Sequence, residues 1–329
     1  MAILLVLGAL SALTVWSEMQ AVSPRTDVAD LVALVRQPLP APGSLGWKIE
    51  HDQRINILLL ARGGAGNDNP NFTDTILVLS IRPTSGRAAL VSVPRFMWVD
   101  IPALVNGGIS GKLYSAFALG GEHDNPSLRS RWRTATGSGD LAAATVAGIM
   151  GEPIDGWVAV GIESFRAIVD ALGGIRVTVP AVLDDPTYPA DDGRTTRHVH
   201  FEPGAQVMNG ERAVEYARSR LSTSEADRSA RQGLVMSATL ARLRAVQAGP
   251  ALLPILGAVR QGVLTSLRLS EIRQLDPVLR HVRLAGLLLV TVDQSNVLFR
   301  QPLPGGDYLL LPRDRSLVEL RRYVRAALP

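Results

Sequence analysis

Short apolar runs separated by turn-forming residues dominate the chain after residue 50. Ile55–Leu60 is mostly apolar and runs into a glycine cluster, as expected of a strand buried on both faces. Two further apolar runs, Ile76–Ile81 and Ala88–Val93, flank a turn-forming hexapeptide at 82–87. The pattern predicts one strand followed by a β-hairpin.

Helical and extended patterns then alternate along the chain. The predicted helices cover about 139–150, 163–172, 251–266, 270–279 and 315–328, and the predicted strands cover 156–161, 175–179, 287–292 and 307–311. Gly173 and Gly174 are a typical C-terminal stop for the second of these helices. Helices of this length between strands predict an α/β fold class, with helices packed on the faces of a sheet. No internal repeat or break follows residue 50, so one domain over 51–329 is the simplest interpretation.

The segment 184–200 is polar and contains Pro, Gly and several aspartates, which predicts an exposed loop. His198 and His200 would share one face of an extended chain. Two histidines without a third ligand are a weak metal signal, so no metal is predicted there.

Arginines are concentrated between residues 211 and 232. Asn209 can cap a short helix through Tyr216, which delivers Arg218 and Arg220 into the next loop. Ser224 can cap a longer helix that reaches about Ala245, with Met236, Leu240 and Leu243 on one apolar face.

Two hypotheses fit this basic stretch, a solvated helix face or an anion site. Arg228 and Gln232 share a face in the first turns of the longer helix, where the helix dipole favours an anion. Guanidinium groups also match phosphate oxygens in pairs. Cations at a helix N-terminus are misplaced unless an anion offsets them, which favours the anion site. Arg231 is expected to be solvated only.

Polar residues at the edges of the early strands are further candidates. Asp74 precedes the second strand and Arg95 follows the third, and strand ends are where α/β proteins place chemistry. Asp74 could equally cap a turn. Lys112 is placed at the start of a predicted helix, where an anion would also be favoured.

Composition limits the class of protein. The chain has 329 residues, 47% hydrophobic and 19% charged, which excludes wholesale disorder. It has no cysteine, which excludes disulfides and thiolate chemistry. Residues 2–16 form an uncharged apolar run, shorter than the ~20 residues of a full span. We interpret 1–17 as a signal anchor, with a buried N-terminal helix as the alternative, and 18–50 as a linker. Whether Met1 is the true start stays open.

Seven motifs occur in an order that resembles the LytR-CpsA-Psr family. They are Asn56–Leu60, Thr73–Thr75, Ser92–Arg95, Lys112–Ala116, Asp170–Ile175, Tyr216–Arg220 and Arg228–Gln232. The resemblance covers about residues 51–245, with a looser echo at Gly306–Pro312.

The resemblance implies a membrane-anchored, single-pass phosphotransferase whose catalytic domain is extracytoplasmic. Such enzymes transfer a glycopolymer, such as a teichoic-acid-like polymer, from a lipid such as undecaprenyl pyrophosphate to peptidoglycan. The implied fold is an α-β-α sandwich on a central mixed β-sheet, with an apolar groove for the lipid.

The same resemblance assigns roles to individual residues. Those implied at the reacting phosphate are Arg95, Arg218 and Arg220. Those implied to bind the pyrophosphate are Lys112, Arg228 and Gln232, and the residue implied to hold Mg²⁺ is Asp74. Phosphoryl transfer needs mainly positioning and charge neutralisation, which these residue types supply.

The chain departs from the family pattern at three positions. Gly63 stands where the family commonly has a metal-binding Asp, Phe72 where it has a pyrophosphate-binding Arg, and Phe96 where it often has an Asp. Asp68 could supply the missing carboxylate.

Two other functions stay open, a hydrolase of the same pyrophosphate lipids and a non-catalytic polyprenyl-phosphate binder. Nucleic-acid binding is not expected, because aromatic residues are not interleaved with the arginines.

Overall fold

A mixed β-sheet lies at the centre of this computed structural model. The structure describes residues 23–25, 27, 40–63, 70–190, 194–219, 225–245, 259, 262–283 and 286–329. The strands in these ranges are β1 (Ile55–Arg62), β2 (Thr73–Ile81), β3 (Ala88–Ser92), β4 (Trp98–Ile101), β5 (Ile109–Lys112), β6 (Gly156–Gly161), β7 (Ile175–Val179), β8 (Leu183–Pro189), β9 (Thr196–Phe201), β10 (Gly204–Met208), β11 (Val263–Thr265), β12 (Leu288–Thr291), β13 (Leu298–Pro302) and β14 (Tyr308–Pro312).

The central sheet has the strand order β11-β6-β1-β2-β3-β12. β1 and β2 pair antiparallel, as do β2 with β3 and β6 with β11, whereas β1–β6 and β3–β12 are parallel. The remaining strands form two-stranded pairs, β4–β5, β7–β10, β8–β9 and β13–β14. The prediction of an α/β fold with a hairpin after the first strand is therefore confirmed.

Helices cover both faces of the sheet. They are α1 (Leu45–Glu50), α2 (Ala116–Gly120), α3 (Gly137–Met150), α4 (Ile162–Ala171), α5 (Gly210–Arg218), α6 (Glu225–Ala245), α7 (Leu269–His281) and α8 (Val318–Ala327). Helices α3 and α8 pack with Leu58 and Val78 on one face, whereas α6 and α7 pack with Leu77 and Leu79 on the other. Covered faces explain why the strands are apolar at successive positions. Each fully buried leucine stabilises the fold by roughly 1.5–3 kcal/mol relative to an exposed one.

The segment 184–200 was predicted as an exposed loop, and that prediction is wrong. It forms the hairpin β8–β9, in which Leu183 pairs with Phe201 and Asp185 with Val199. The inward side chains, Tyr188 among them, are buried against β7, α5 and α6. Prolines and aspartates have low strand propensity, so the sequence of this segment does not resemble a strand. The hairpin is stabilised by its one buried face instead.

The helix predicted over 251–266 is wrong at its end, where Val263–Thr265 pairs antiparallel with β6. Residues 251–258 lie outside the described ranges.

Part of the stretch expected to be a linker packs onto the domain. Helix α1 begins after Ser44, whose Oγ accepts a hydrogen bond from the Trp47 amide, and Leu45 is buried beside Ile55 and Leu275. The predicted signal anchor at 1–17 lies outside the described ranges. No helix within those ranges has the length and apolarity needed to cross a membrane.

Candidate functional site

The polar residues at the strand ends lie together at one edge of the central sheet. The C-terminal ends of β1, β3, β6 and β12 meet there with the start of β2, as the strand directions require. A β-bulge interrupts the β1–β2 ladder at this edge, since Ala61 pairs with Thr75 but Arg62 pairs with Thr73. Asp74 is the extra residue. Bulges re-aim side chains, and this one directs Asp74 toward the face covered by α6 and α7.

Asp74 lies between two arginines that are distant in sequence. Arg95 Nη1 donates a hydrogen bond to Asp74 Oδ1, and Arg218 Nε lies 3.8 Å from Oδ2. Asp74 and Arg95 are only 6% and 7% exposed. Two guanidinium groups share one carboxylate in a poorly solvated place, so this group of three carries an excess positive charge. Such an excess favours an anionic ligand.

The end of α5 presents Arg218. The helix begins at the Asn209 cap, whose Oδ1 accepts from the Arg212 amide at 2.9 Å, and it runs to Arg218 rather than to Tyr216. The next residue, Ser219, donates from Oγ to Asp185 Oδ2 on the β8–β9 hairpin. Arg218 is therefore held from both sides of the turn that follows the helix.

Arg231 is a structural residue, and the expectation that it is only solvated is wrong. Its side chain is 5% exposed, and its Nε donates to Tyr216 O at 2.9 Å. Its Nη2 donates to Ser219 O at 2.5 Å. These carbonyls belong to the end of α5 and lack helical partners, so Arg231 caps that end and fixes Arg218. Burial lowers the pKa of the Arg231 guanidinium.

Arg228 and Gln232 lie on α6, near its start, and both are buried, at 4% and 5% exposed. Gln232 lines a cavity together with Arg218 and Asp74. The Gln232 Nε2 atom is buried without a hydrogen-bond acceptor among the described residues. A buried donor left unpaired costs about 1–3 kcal/mol, which a bound acceptor would recover.

The prediction that Lys112 lies at the start of a helix is confirmed, although the helical segment is short. Lys112 ends β5 and precedes a 3₁₀ turn, Leu113–Ser115, and the five-residue α2. The Lys112 ammonium pairs with Asp307, and this hydrogen bond lowers the pKa of the Asp307 carboxyl.

Phe96 connects Lys112 to the buried arginine. Lys112 Nζ lies 5.1 Å, and Arg95 Cζ 4.5 Å, from the centroid of the Phe96 ring. The ring also packs against Tyr114 and Tyr308, while Phe72 packs against Tyr114 at 4.7 Å between centroids. Phe72, Phe96, Tyr114 and Tyr308 thus form an aromatic wall beside Arg95 and Lys112. The two phenylalanines are positions at which the chain departs from the family pattern.

A cavity of about 340 Å³ extends from this group into the layer between the sheet and its helices. Asp74, Arg218 and Gln232 line it together with apolar side chains that include Leu59, Val160, Phe165, Val235 and Leu240. Met236 and Leu243 line it too, as the apolar face predicted for α6.

The structure thus brings together Asp74, Arg95, Arg218 and Gln232, with Lys112 joined through Phe96. Arg220 and Asp68, two predicted site residues, lie outside the described ranges. Among the described residues that line the cavity, Asp74 is the one acidic side chain. Mg²⁺ is often bound by one or two carboxylates together with substrate phosphates, so this donor set fits the ion once a phosphate is present.

Comparison with known proteins decides the family. The sequence profile of the LytR_cpsA_psr family matches residues 25–308. The chain belongs to this family. The match extends well beyond the seven motifs on both sides, so the described α/β domain is the family's domain.

Two solved structures of similar fold agree with this family membership. The B. subtilis TagV crystal structure has a TM-score of 0.62 at 22% identity, covering 84% of this chain and 98% of that one. The structure of protein gbs0355 from Streptococcus agalactiae has a TM-score of 0.64 at 20% identity, covering 85% and 89%. At these identities the likeness shows the shared fold.

A relative in Bacillus cereus (strain AH820) is named a polyisoprenyl-teichoic acid–peptidoglycan teichoic acid transferase, TagU. It is 27% identical over 267 residues, which cover 80% of this chain and 78% of the relative.

Sequence reasoning missed three contributors to the site, namely Arg231, Asp307 and the aromatic wall. The two phenylalanines were noticed only as departures. Their proximity to Tyr114 and Tyr308 could not be derived, because Tyr308 reaches the site through the distant β14 strand.

Proposed function

We propose that this family member transfers a glycopolymer from a polyprenyl-pyrophosphate carrier to peptidoglycan. The observation that carries the proposal is the junction between a cationic group and an apolar cavity. Arg218, Gln232 and Asp74 line the same cavity as a set of aliphatic side chains. A lipid-linked pyrophosphate has the matching shape, an anionic head on an apolar chain.

The roles follow from charge and burial. Arg95 and Arg218 would offset the charge that develops on the reacting phosphate, and Arg220 is assigned the same role from its motif. Gln232 would donate its unpaired Nε2–H to a pyrophosphate oxygen, with Arg228 on the same helix and Lys112 across the aromatic wall. Charges fixed in a poorly solvated site need little reorganisation during the reaction.

The reaction exchanges one phosphoanhydride bond for one phosphoester bond. The acceptor hydroxyl oxygen forms a bond to the phosphorus that carries the glycan, and the hydroxyl proton is released to solvent water. The bond from that phosphorus to the bridging oxygen breaks, and polyprenyl phosphate leaves with the electron pair. Fixed cations favour this exchange because charge builds on both the bridging and the equatorial oxygens.

Mg²⁺ belongs to this proposal, with Asp74 as its ligand and Asp68 as a second candidate. When bound, the ion would offset charge on the phosphate oxygens. Among the described residues that line the cavity, Asp74 is the acidic side chain, and a carboxylate oxygen is the type of ligand that Mg²⁺ prefers.

The proposal also places the domain outside the cytoplasm, anchored by the apolar run at 2–16. A single-pass anchor would hold the cavity close to the bilayer in which the lipid carrier resides.

The test is transfer by the full chain from a lipid-linked glycan that is radiolabelled on the glycan-proximal phosphate. We expect the label to appear in peptidoglycan. We expect Arg218→Ala to reduce this rate by roughly 10²–10³-fold, the usual effect of removing one charge-stabilising donor. Arg280→Ala, on the exposed side of α7, is the matched control and should retain the wild-type rate.

Other distributions of the label would contradict the proposal. Release of labelled glycan phosphate into solution would identify a hydrolase. Retention of the label on a tightly bound lipid would identify a non-catalytic binder. Wild-type transfer by Arg218→Ala would remove the assigned role of that residue.

A further inference from the structure

The outer face of the β8–β9 hairpin carries a cluster of metal-binding side chains. In this register Asp184 pairs directly with His200, and His198 lies two residues away on the same strand and the same face. His198 Nε2 is 2.7 Å and His200 Nδ1 is 2.8 Å from Asp184 Oδ1. Both rings therefore converge on one carboxylate oxygen.

The hairpin thus supplies the third ligand that the sequence pattern of two histidines lacked. One ligand atom from each of the three side chains lies within 4.8 Å of the others. Bonds to Zn²⁺ of about 2.0–2.2 Å put neighbouring ligand atoms of a tetrahedral site about 3.3 Å apart, so a small outward rotation of the exposed rings suffices. The open side of the cluster faces solvent, which leaves the fourth position to water.

A second observation indicates that His200 is a metal ligand. A carboxylate, that of Glu202, lies next to its other ring nitrogen. The Nε2 atom of His200 lies 3.0 Å from Glu202 Oε1. Histidines that bind a metal through one ring nitrogen commonly donate the other N–H to a carboxylate, which fixes the tautomer and orients the ring. With Glu202 holding the Nε2–H, the Nδ1 lone pair of His200 is directed toward Asp184 and His198.

The hairpin is also anchored firmly enough to present a fixed set of ligands. Arg212 Nη2 on α5 donates to the His200 carbonyl at 2.6 Å. Arg197, which directly precedes His198 on β9, pairs with Glu211 and Glu215 of α5. Both guanidinium groups also pair with carboxylates of α5, since Arg212 contacts Glu215 as well. These contacts tie the hairpin to the helix.

We propose that Asp184, His198 and His200 bind one first-row divalent transition-metal ion, of which Zn²⁺ is the best match, with Glu202 orienting His200. Imidazole and carboxylate ligands suit Zn²⁺, whereas Mg²⁺ prefers oxygen ligands in octahedral geometry. The site is separate from the cavity and from Asp74.

The ion would act on the segment that carries the reactive arginines. Asp185, adjacent to the ligand Asp184 but on the inner face, accepts the hydrogen bond from Ser219 Oγ. Ser219 follows Arg218 directly. A metal that cross-links β8 and β9 would therefore stiffen the support of that turn, so we assign it a structural role.

The experiment is Zn²⁺ titration of the full chain, prepared without a histidine tag and freed of metal, by isothermal titration calorimetry. We expect one ion per chain, and visible absorption of the Co²⁺-substituted protein typical of a tetrahedral site. We expect His198→Ala or Asp184→Asn to abolish this binding, and Glu202→Gln to weaken it by about 10–100-fold. His123→Ala, which removes another exposed histidine, is the matched control and should bind as the wild type does.

Specific outcomes would overturn the proposal. They are absence of saturable Zn²⁺ binding, equal losses in His123→Ala and His198→Ala, or displacement of Zn²⁺ by equimolar Mg²⁺. The ligand residues are exposed, so their substitution is not expected to prevent folding. Because the readout is binding of the metal alone, failure of this proposal is distinguishable from failure of the proposed transferase function.

Discussion

Substitution of Asp74 by Asn tests whether the group around Arg95 is an anion site. The change is nearly isosteric and removes the one negative charge between Arg95 and Arg218. Breaking a buried pair typically costs about 3–5 kcal/mol, because the partner charge stays buried. The Asn oxygen can still accept from Arg95, so we expect the lower end, a loss of about 3 kcal/mol in the free energy of unfolding.

The anion-site interpretation adds a second expectation. With Asp74 neutralised, the two guanidinium groups should bind inorganic pyrophosphate more tightly than in the wild type. An anion present at a concentration of a hundred times its dissociation constant adds about 2.7 kcal/mol to the free energy of unfolding. This gain nearly offsets the loss of about 3 kcal/mol expected from the substitution. Urea unfolding followed by tryptophan fluorescence, with and without pyrophosphate, measures both effects.

Asp155→Asn is the matched control for this experiment. Asp155 accepts from Lys48 Nζ at 2.5 Å and from the Asn56 amide at 2.9 Å, and its side chain is 11% exposed. We expect a comparable loss of stability but no greater rescue by pyrophosphate than in the wild type. Equal rescue of both variants, or an Asp74→Asn protein as stable as the wild type, would refute the reasoning.

Three further substitutions test other parts of the site. Met236→Trp places a large ring in the cavity, so the rate of transfer from a long-chain lipid substrate should fall at least about ten-fold. The rate of transfer from a short-chain analogue should fall less. The control Ser237→Trp, which lies outside the cavity lining, should have a smaller effect on transfer from the long-chain substrate. Gln232→Met removes the buried Nε2 donor, which has no acceptor among the described residues. Urea unfolding should therefore show equal or greater stability, by up to about 1–3 kcal/mol, while calorimetry should show weaker pyrophosphate binding. Asp307→Asn removes the ion pair that Lys112 makes with Asp307, so Lys112 can contact pyrophosphate instead. An exposed ion pair contributes ~0.2–1 kcal/mol, so pyrophosphate should bind up to a few-fold more tightly. Unchanged affinity would remove Lys112 from the site.

Local signals in the sequence predicted much of the fold. The sequence predicted the bounds of two elements almost to the residue, the strand Ile175–Val179 and the helix that ends before Gly173. Their bounds are set by residues next to them in the sequence, which act as start and stop signals. Gly173 and Gly174 adopt φ of +73° and +87°, the left-handed conformation that ends a helix. Asn209 likewise caps α5 as predicted.

Long-range contacts were beyond the reach of the sequence alone. The hairpin β8–β9 exists because one face packs on α5 and β7, which no local propensity reveals. The burial of Arg231 depends on carbonyls of another helix. The motifs named Asp74, Arg95 and Arg218, and the structure places these three side chains together. The bulge that turns Asp74 toward Arg218 is visible only in the pairing of β1 with β2.

Charge balance connects the metal to the substrate in the proposed mechanism. Arg95 and Arg218 already exceed the single charge of Asp74, so a divalent cation alone would enter a site that repels it. A pyrophosphate reverses this balance, because its oxygens offset both arginines and the ion together. Binding of Mg²⁺ and binding of pyrophosphate must then strengthen each other by the same factor. The metal therefore enters with the substrate in this proposal, and one carboxylate suffices because the phosphates supply the other ligands.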